Sequence, residues 1–286
     1  MIRLYPTERE KKVMQMTLDN CRYVHNRLVE LCRNCVLLGV TVPSMIDMCK
    51  HVVQWKKEEP WLAETYSQCY HGVASRVAKA FKRFFDDKKD PTKSIDDKNR
   101  FPRFKTSTRY RSFEYSRSQY VLDKKTLKLI KLGTIRHRGF RNMPGSPKTV
   151  TVFKKATSKW FASVVYEVGD DYGKGTVGIE DSVNYSVGID MGFKKFMVLS
   201  DGEQFSKPRF KRTSLDLIKK NDRRLANAKP GTEEYEKARQ RIAHCYEHIA
   251  NKNDDHAHQI SSRLVRRYRG LVFEKLVVAE MLGHEQ

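Results

Sequence analysis

Apolar residues recur at helical spacing through most of the first ninety positions, after a short opening strand. Thr7 with Glu10 three residues later has the signature of a capping box, which predicts that a helix begins there. A second helix is predicted from Pro43 to Trp55, because proline suits a first helical turn. A third is predicted over about 61–86, where an apolar stripe opposes cations expected to stay outside. The stripe is Val73, Val77, Phe81 and Phe84, and the cations are Arg76, Lys79, Lys82 and Arg83.

The helical period is lost after a polar loop at about 86–100. Residues 149–153 and 160–166 have the alternation and β-branched content of paired strands. Glycines punctuate the stretch before them at turn-like intervals, which is typical of a small β-barrel.

A third pattern occupies the last hundred residues. An apolar strand ends on Asp190, and a second strand at 196–199 leads into an Asp201-Gly202 turn, which together predict a hairpin. Two long polar helices follow at about 213–228 and 233–268. Their predicted apolar seam is Leu217, Leu225, Ile242, Ile249, Ile260 and Leu264. A last short strand at 271–274 ends on Glu274.

Charge is the strongest compositional signal. The 286 residues contain 56 Lys+Arg against 34 Asp+Glu, a net charge of +22, which favours a polyanionic partner. Residues 101–150 hold 13 of the basic residues and 2 acidic ones, whereas 151–200 are neutral. The segment 101–150 is therefore the first candidate for nucleic-acid binding, with a solvated basic face as the alternative.

Targeting signals are not evident. The chain has no apolar run near the ~18 residues of a spanning helix and no secretory h-region, so we expect a cytoplasmic, nucleoid-associated protein, nuclear if the host is eukaryotic. Six scattered cysteines indicate a reduced compartment. The Cys32–Cys35 pair is interpreted as packed free thiols, since no second pair completes a metal site.

Asp190 and Glu274 are the candidate catalytic residues. Each ends a short apolar strand, so adjacent strands of one mixed sheet would bring both carboxylates to one edge. Carboxylates in that arrangement suit Mg²⁺, which can activate water and stabilise the leaving oxygen in phosphodiester hydrolysis. The alternative is that the two acids pair with nearby Lys194 or Lys275.

The motif Val187–Gly192, followed by Leu199–Gly202, closely resembles the first catalytic motif of the RuvC-like, RNase H-fold domain. The version it matches is that of TnpB, the insertion-sequence protein once called a transposase and related to type V CRISPR effectors. Further segments resemble the family in order along nearly the whole chain. They are Arg3–Thr7, Cys21–Asn26, Phe101–Lys105, Ser112–Tyr115, Arg239–Asp255, Leu264–Tyr268 and Val272–Glu274.

The resemblance implies an RNA-guided DNA endonuclease whose partners are a guide RNA and a double-stranded and single-stranded DNA target. It implies an α+β multidomain fold, in which a helical recognition lobe is inserted in a small, OB-like β-barrel. The expected domains are the wedge-like barrel at 1–15 and 100–178, the lobe at 16–99, and an incomplete RuvC-like α/β domain with two long helices at 179–286. Mg²⁺ is expected at Asp190 and Glu274.

Basic and aromatic side chains are expected to contact nucleic acid, because such proteins follow the backbone of the heteroduplex and leave sequence reading to base pairing. The candidates are Arg103, Phe104, Lys105, Arg109, Arg111, Tyr115, Lys154 and Lys155. Phe101, Phe104, Phe113 and Tyr115 could stack on unpaired bases, and the alternative is a place in the barrel core, which is favoured for Phe113 and Tyr115.

The sequence also departs from the family. Members continue into a four-cysteine zinc ribbon and a third catalytic aspartate, which this chain, ending at Gln286, does not contain, so no zinc site is expected in it. The pairs His256/His258 and His244/His248 fall on a long polar helix and are not expected to bind metal. Binding of a matched target without cleavage in Mg²⁺ is therefore expected. One alternative is a nuclease completed by a third carboxylate from missing sequence or another chain. The others are a nuclease-deficient, repressor-like RNA-guided DNA-binding protein and an unrelated basic RNA-binding structural protein. The sequence does not determine the oligomeric state.

Overall fold

A computed structural model describes residues 1–92, 99–141, 143–169, 186–192, 195–206 and 208–274. The chain forms two compact units, Met1–Tyr172 and Gly173–Gln286. The described residues form an α+β structure with six α-helices and two β-sheets. None of the described helices is long and apolar enough to cross a membrane.

Three helices follow the opening strand β1 (Ile2–Tyr5) in the first unit: α1 (Glu8–Leu37), α2 (Met45–Glu58) and α3 (Ser67–Lys89). The predicted capping box begins α1, with the Thr7 amide donating to Glu10 Oε2 at 2.6 Å. The predicted start of α2 at Pro43 is wrong, because the Ser44 side chain accepts from the Asp47 amide and caps the helix one residue later. A 3₁₀ turn at Pro60–Glu64 likewise delays α3.

Apolar residues of the α3 stripe are buried as predicted, apart from half-buried Phe84. The prediction that Arg76 stays outside is wrong. Its guanidinium is half-buried and donates to the Ser112 carbonyl at 3.3 Å and to the Tyr110 hydroxyl at 3.1 Å. Strand and helix approach closely here, since a Cβ on Gly72 would lie 2.6 Å from Glu114 Cγ. Arg76 therefore bridges α3 to the sheet.

The first unit also contains a seven-stranded antiparallel sheet in the order β2-β6-β7-β1-β5-β4-β3. Its remaining strands are β2 (Ser112–Ser116), β3 (Tyr120–Leu122), β4 (Thr126–Leu129), β5 (Gly133–Arg138), β6 (Ser146–Lys154) and β7 (Trp160–Glu167). The Tyr115 hydroxyl of edge strand β2 donates at 3.0 Å to the carbonyl of Ile130, just after β4. This contact joins regions near the two ends of the sheet and makes it a nearly closed barrel.

The second unit contains a four-stranded mixed sheet in the order β10-β9-β8-β11. Its strands are β8 (Ser186–Asp190), β9 (Lys195–Leu199), β10 (Gln204–Ser206) and β11 (Gly270–Phe273). Three helices, α4 (Phe210–Thr213), α5 (Leu215–Asn227) and α6 (Glu233–Arg267), connect β10 to β11. Ile260 and Leu264 of α6 form a common core with the inward side chains of β8 and β9.

The predicted apolar seam of the long helices is wrong at one position. Leu217 is 55% exposed, and its neighbour Ile218 is buried instead. Asn221 continues the buried face of α5 and donates its amide to the Leu217 carbonyl at 2.9 Å. Because this buried position is polar, hydrophobic periodicity assigns the wrong phase to the helix. Ile249, Ile260 and Leu264 of α6 are buried as predicted.

The structure agrees with the interpretation of Cys32 and Cys35 as free thiols. Cys32 is buried and Cys35 is partly buried, and both are free. Burial raises the pKa of the Cys32 thiol to about 12, with neighbouring Cys35 a smaller cause.

His25, a buried residue of α1, makes stability of the first unit pH-dependent. Burial, together with the nearby charges of Lys105 and Arg76, lowers its pKa from 6.5 to about 4. Since the unfolded chain takes up the proton first, this stability is complete above about pH 6.5 and is lost as pH falls towards 4. We expect His25 to account for up to about 3 kcal/mol of lost unfolding free energy over that range. His25→Gln should remove this contribution.

Urea unfolding between pH 7 and 4 measures this effect by tryptophan fluorescence, since Trp55, Trp61 and Trp160 all lie in the first unit. The exposed histidine His51 provides the matched control variant His51→Gln, which should follow the wild type. An unchanged pH dependence in His25→Gln would contradict the assignment.

Candidate functional site

Two candidate carboxylates lie at one edge of the mixed sheet. Strands β8 and β11 pair in parallel, with Phe273 opposite Ile189. Asp190 is the last residue of β8 and Glu274 directly follows β11, so both stand at the carboxyl ends of neighbouring strands. Both residues are exposed. The expected placement on adjacent strands of a mixed sheet is thus observed, and carboxyl ends of parallel strands are a common place for ligand sites in α/β sheets.

Close backbone approach supports the parallel pairing. Gly270 lies opposite Ser186 at the start of the pair. A Cβ on Gly270 would lie 2.2 Å from the Ser186 hydroxyl oxygen. A larger residue would push the strands apart at the end opposite the carboxylates.

An ionic cluster ties the turn after β9 to the end of α6. Arg267 contacts Asp201 at 3.0 Å and Glu203 at 2.7 Å, and Arg263 contacts Glu203 at 2.7 Å. The Tyr268 hydroxyl also donates to Asp201, and this hydrogen bond is the main reason that the pKa of Asp201 is lowered.

The ionic cluster holds the chain immediately before β11 against the hairpin that contains β8. Sequence reasoning recognised Asp201 only as a turn residue. The useful signal was the spacing of Arg263, Arg267 and Tyr268 along one side of the end of α6.

The two carboxylates are chemically suitable ligands for Mg²⁺. This ion is commonly bound by one or two protein carboxylates, with water and substrate phosphate oxygens completing its shell. Across the part of the chain that the structure describes, no cluster of three or more His, Cys, Asp or Glu side chains could hold a metal. Lys194 and Lys275, the alternative partners of the carboxylates, lie outside the described residues.

The histidine pairs lie on α6, as predicted. The His256 ring contacts the rings of Phe196 at 5.8 Å and Phe210 at 6.2 Å between centroids. These packing contacts give His256 a structural role.

The basic segment exposes two of its candidate arginines and one aromatic ring. Arg103 and Arg109 are exposed. Phe104 is 48% exposed, with the Arg33 guanidinium 5.2 Å from its ring centroid. Asn26 fixes this loop by donating to the Lys105 carbonyl at 3.0 Å and accepting from its amide at 2.8 Å. The loop therefore presents Phe104 at the surface on a defined backbone.

A shallow cavity of about 530 Å³ lies beside Phe104 on the surface of α1. Its other lining residues are Tyr23, Asn26, Arg27 and Glu30. Sequence reasoning did not select these residues for binding. Their helical spacing of three or four along α1 was the available signal.

Other basic candidates are partly engaged within the fold. The Lys105 ammonium lies 5.7 Å from the Tyr110 ring centroid, and burial lowers its pKa. Arg111 is half-buried and donates to the Thr108 carbonyl. Lys154 donates to Gln15 at 2.9 Å, whereas the Lys155 ammonium lies over the Phe161 ring at 4.6 Å.

Tyr115 is a core residue in this structure. It is 1% exposed, and its ring stacks on Tyr66 with centroids 5.8 Å apart. Burial raises the pKa of its hydroxyl, which is engaged by the Ile130 carbonyl. Of the two interpretations of Tyr115, the structure favours the barrel core over base stacking, and Phe113 is likewise fully buried.

Comparison with known proteins adds independent findings. Residues 163–285 match the family OrfB_IS605, described as "Probable transposase". The chain is 27% identical over 286 residues to a Streptomyces pristinaespiralis protein named "Putative RNA-guided DNA endonuclease", covering 98% of this chain and 67% of the relative. It is 25% identical over 282 residues to "Putative RNA-guided DNA endonuclease InsQ" of Escherichia coli (strain K12), covering 97% of this chain and 66% of that protein.

The present chain thus spans about two thirds of the length of both curated relatives. The matches extend over almost all of it, including the segments that carry Asp190 and Glu274. Together with the ordered sequence motifs, these similarities support a protein of the TnpB family of insertion-sequence proteins.

Proposed function

We propose that this chain is an RNA-guided DNA-binding protein with a metal-dependent nuclease centre at Asp190 and Glu274. The observation that carries the proposal is the parallel pairing of β8 and β11, which ends both strands on a carboxylate at one edge. The names of the two relatives support the same activity. The exposure of both carboxylates leaves them accessible to a nucleic-acid backbone.

The proposal assigns a specific role to each unit. The mixed sheet and long helices of the second unit would be the RuvC-like nuclease domain, at 179–286. The seven-stranded sheet would be an OB-like, wedge-like domain from 1–15 and 100–178, and the helices at 16–99 the recognition lobe. Guide RNA and target DNA would be the ligands of this basic part of the chain, in which residues 101–150 hold 13 Lys or Arg and 2 Asp or Glu.

The charges of the two carboxylates explain why the proposed centre would need a cation before it could bind a phosphodiester. Asp190 and Glu274 carry two negative charges at one sheet edge when ionised, and would repel a phosphodiester without a neutralising cation. Mg²⁺ held there would polarise a phosphoryl oxygen and activate water. The role of the two side chains is therefore to hold the cation and orient it towards the DNA backbone. The ionic cluster around Asp201 would keep β11, and with it Glu274, in place.

Metal affinity tests the proposed centre. We expect Asp190→Asn and Glu274→Gln each to weaken binding of Mn²⁺, used as a spectroscopic substitute for Mg²⁺, by at least about 10-fold. Titration followed by electron paramagnetic resonance measures the free ion. The exposed α6 residue Asp254 gives the matched control Asp254→Asn, which should bind as the wild type does.

Equal Mn²⁺ affinity in the wild type and both site variants would overturn the metal centre. Incubating the chain and its guide with matched DNA in Mg²⁺ then separates two outcomes. Cleavage that is lost in Asp190→Asn identifies an active nuclease, and binding without cleavage identifies an RNA-guided binding protein.

RNA affinity tests the basic segment. The double variant Arg103→Glu/Arg109→Glu should bind structured RNA at least about 10-fold more weakly, because it replaces two exposed cations. The slope of log K against log salt should fall by about 0.7–0.9 for each phosphate that the variant no longer neutralises. Filter binding across a salt series measures both quantities. Lys219→Glu/Arg223→Glu on the exposed face of α5 is the control with the same charge change, and equal losses of affinity from the two pairs would refute the assignment.

A further inference from the structure

One face of the seven-stranded sheet carries an ordered set of cations and rings. Along β1, β5, β6 and β7, alternate residues point into the core, as shown by the burial of Leu4, Ile135, Val152 and Trp160. The intervening residues point outward, because successive side chains of a strand lie on opposite faces. These outward positions form the outer face of the sheet.

Strand register aligns the outward residues across the four strands. Arg3 of β1 pairs with Arg138 of β5 on one side and with Phe161 of β7 on the other. Phe161 in turn pairs with Phe153 of β6. Four neighbouring strands therefore place two arginines and two phenylalanines in one transverse line.

Cations lie over rings on and beside this line. The Arg3 guanidinium lies 5.5 Å from the Tyr5 ring centroid and 4.8 Å from that of Phe161. Arg138 covers the Tyr5 ring at 5.7 Å, and Lys155 covers Phe161 at 4.6 Å. Phe153 stacks on Phe161 at 5.7 Å with an angle of 18° between the rings. We call this set the cation–aromatic row: Arg138, Tyr5, Arg3, Phe161, Phe153 and Lys155.

No carboxylate in the described part of the chain pairs with the cations of this face. Within the described residues, Arg3, Arg136, Arg138 and Lys155 form no ion pair with a carboxylate. Arg3 Nε is buried and has no hydrogen-bond partner in that part of the chain. Uncompensated cations held close together repel one another, so this face favours an external anion.

A concave surface adjoins the row. A cavity of about 1140 Å³ is lined by Tyr5, Arg136, Arg138 and Phe140, together with Lys124 and Lys125. Tyr5 is 48% exposed in it. The cavity offers a ring for stacking and several cations for phosphates within one surface.

We propose that the cation–aromatic row binds a single-stranded segment of nucleic acid, with an unpaired base stacking on the exposed ring of Tyr5 and phosphates held by the arginines and Lys155. Neighbouring rings and cations suit this ligand because every base has a stacking face and every linkage carries a negative charge. A duplex keeps its bases stacked inside and would use only the cations. The inference rests on the proposed function for its ligand class, but it involves none of the exposed basic-segment residues tested above.

Short single strands provide the test. The probes are a 10-nucleotide oligouridine and a 10-nucleotide oligothymidine, each with one central 2-aminopurine whose fluorescence falls on stacking, and a 10-base-pair DNA duplex. Tyr5→Leu should weaken binding of the single strands about 10-fold, reduce the quenching and leave the salt slope unchanged. Tyr5→Phe keeps the ring and should retain both affinity and quenching.

The charge variants should give the opposite pattern. Arg136→Gln/Arg138→Gln should lower the salt slope by about 0.7 for each phosphate that is no longer neutralised, while bound probe remains quenched. Tyr246→Leu is the matched control, because Tyr246 is 49% exposed on α6 and should not affect binding.

Several results would overturn the proposal. They are equal losses of affinity in Tyr5→Leu and Tyr246→Leu, unchanged quenching in Tyr5→Leu, and tighter binding of the duplex than of both single strands. A loss confined to oligouridine would assign the row to RNA, and a loss with both strands would assign it to unpaired bases of either kind. The metal titration and the Arg103/Arg109 test vary residues outside the row. A negative result in either of them therefore does not affect the interpretation of the binding measurements made with the row variants.

Discussion

Parallel strands cannot be joined by a tight turn, and β8 and β11 meet only because α4, α5 and α6 provide a long connection between them. The position of Glu274 beside Asp190 depends on that connection. Ile260 and Leu264 anchor α6 to the sheet, and Arg263, Arg267 and Tyr268 fix its end to the hairpin turn. Residues far from the carboxylates thus determine whether two acids eighty positions apart lie at one edge.

Basic side chains of the first unit have two different kinds of surroundings. Arg76 is drawn inward, where carbonyl and hydroxyl acceptors of the barrel satisfy it. Arg3, Arg138 and Lys155 instead rest against aromatic rings. A ring partially compensates a cation without neutralising it, so the charge stays available to a phosphate. This difference separates cations that maintain the fold from cations suited to a ligand.

Similarity to the two relatives points these features towards nucleic acid, and the charges of the described residues support that direction. Mg²⁺ held by two carboxylates can take phosphate oxygens into its shell, and cations without a carboxylate partner among the described residues attract an anion. A nucleic-acid backbone satisfies both requirements. The two proposed kinds of contact therefore call for the same class of ligand, although they use opposite signs of protein charge.

Local sequence was sufficient for elements whose signals lie within a few residues. The Thr7–Glu10 capping box, the two long helices and the strands ending on Asp190 and Glu274 were predictable because caps and periodic patterns act over one or two turns. The charge count identified the basic segment, the apolar strand ends identified the candidate carboxylates, and the family resemblance suggested their function.

The tertiary structure decided which face of each helix and strand is buried against the rest of the fold. Tyr115 lies in the core, Arg76 turns inward, and Ile218 replaces Leu217, since sheet closure and helix phase depend on distant partners. The cation–aromatic row was invisible in sequence because Arg3, Arg138 and Phe161 become neighbours only through strand register. Composition supplied the charges and rings, but only non-local strand pairing could arrange them into one surface.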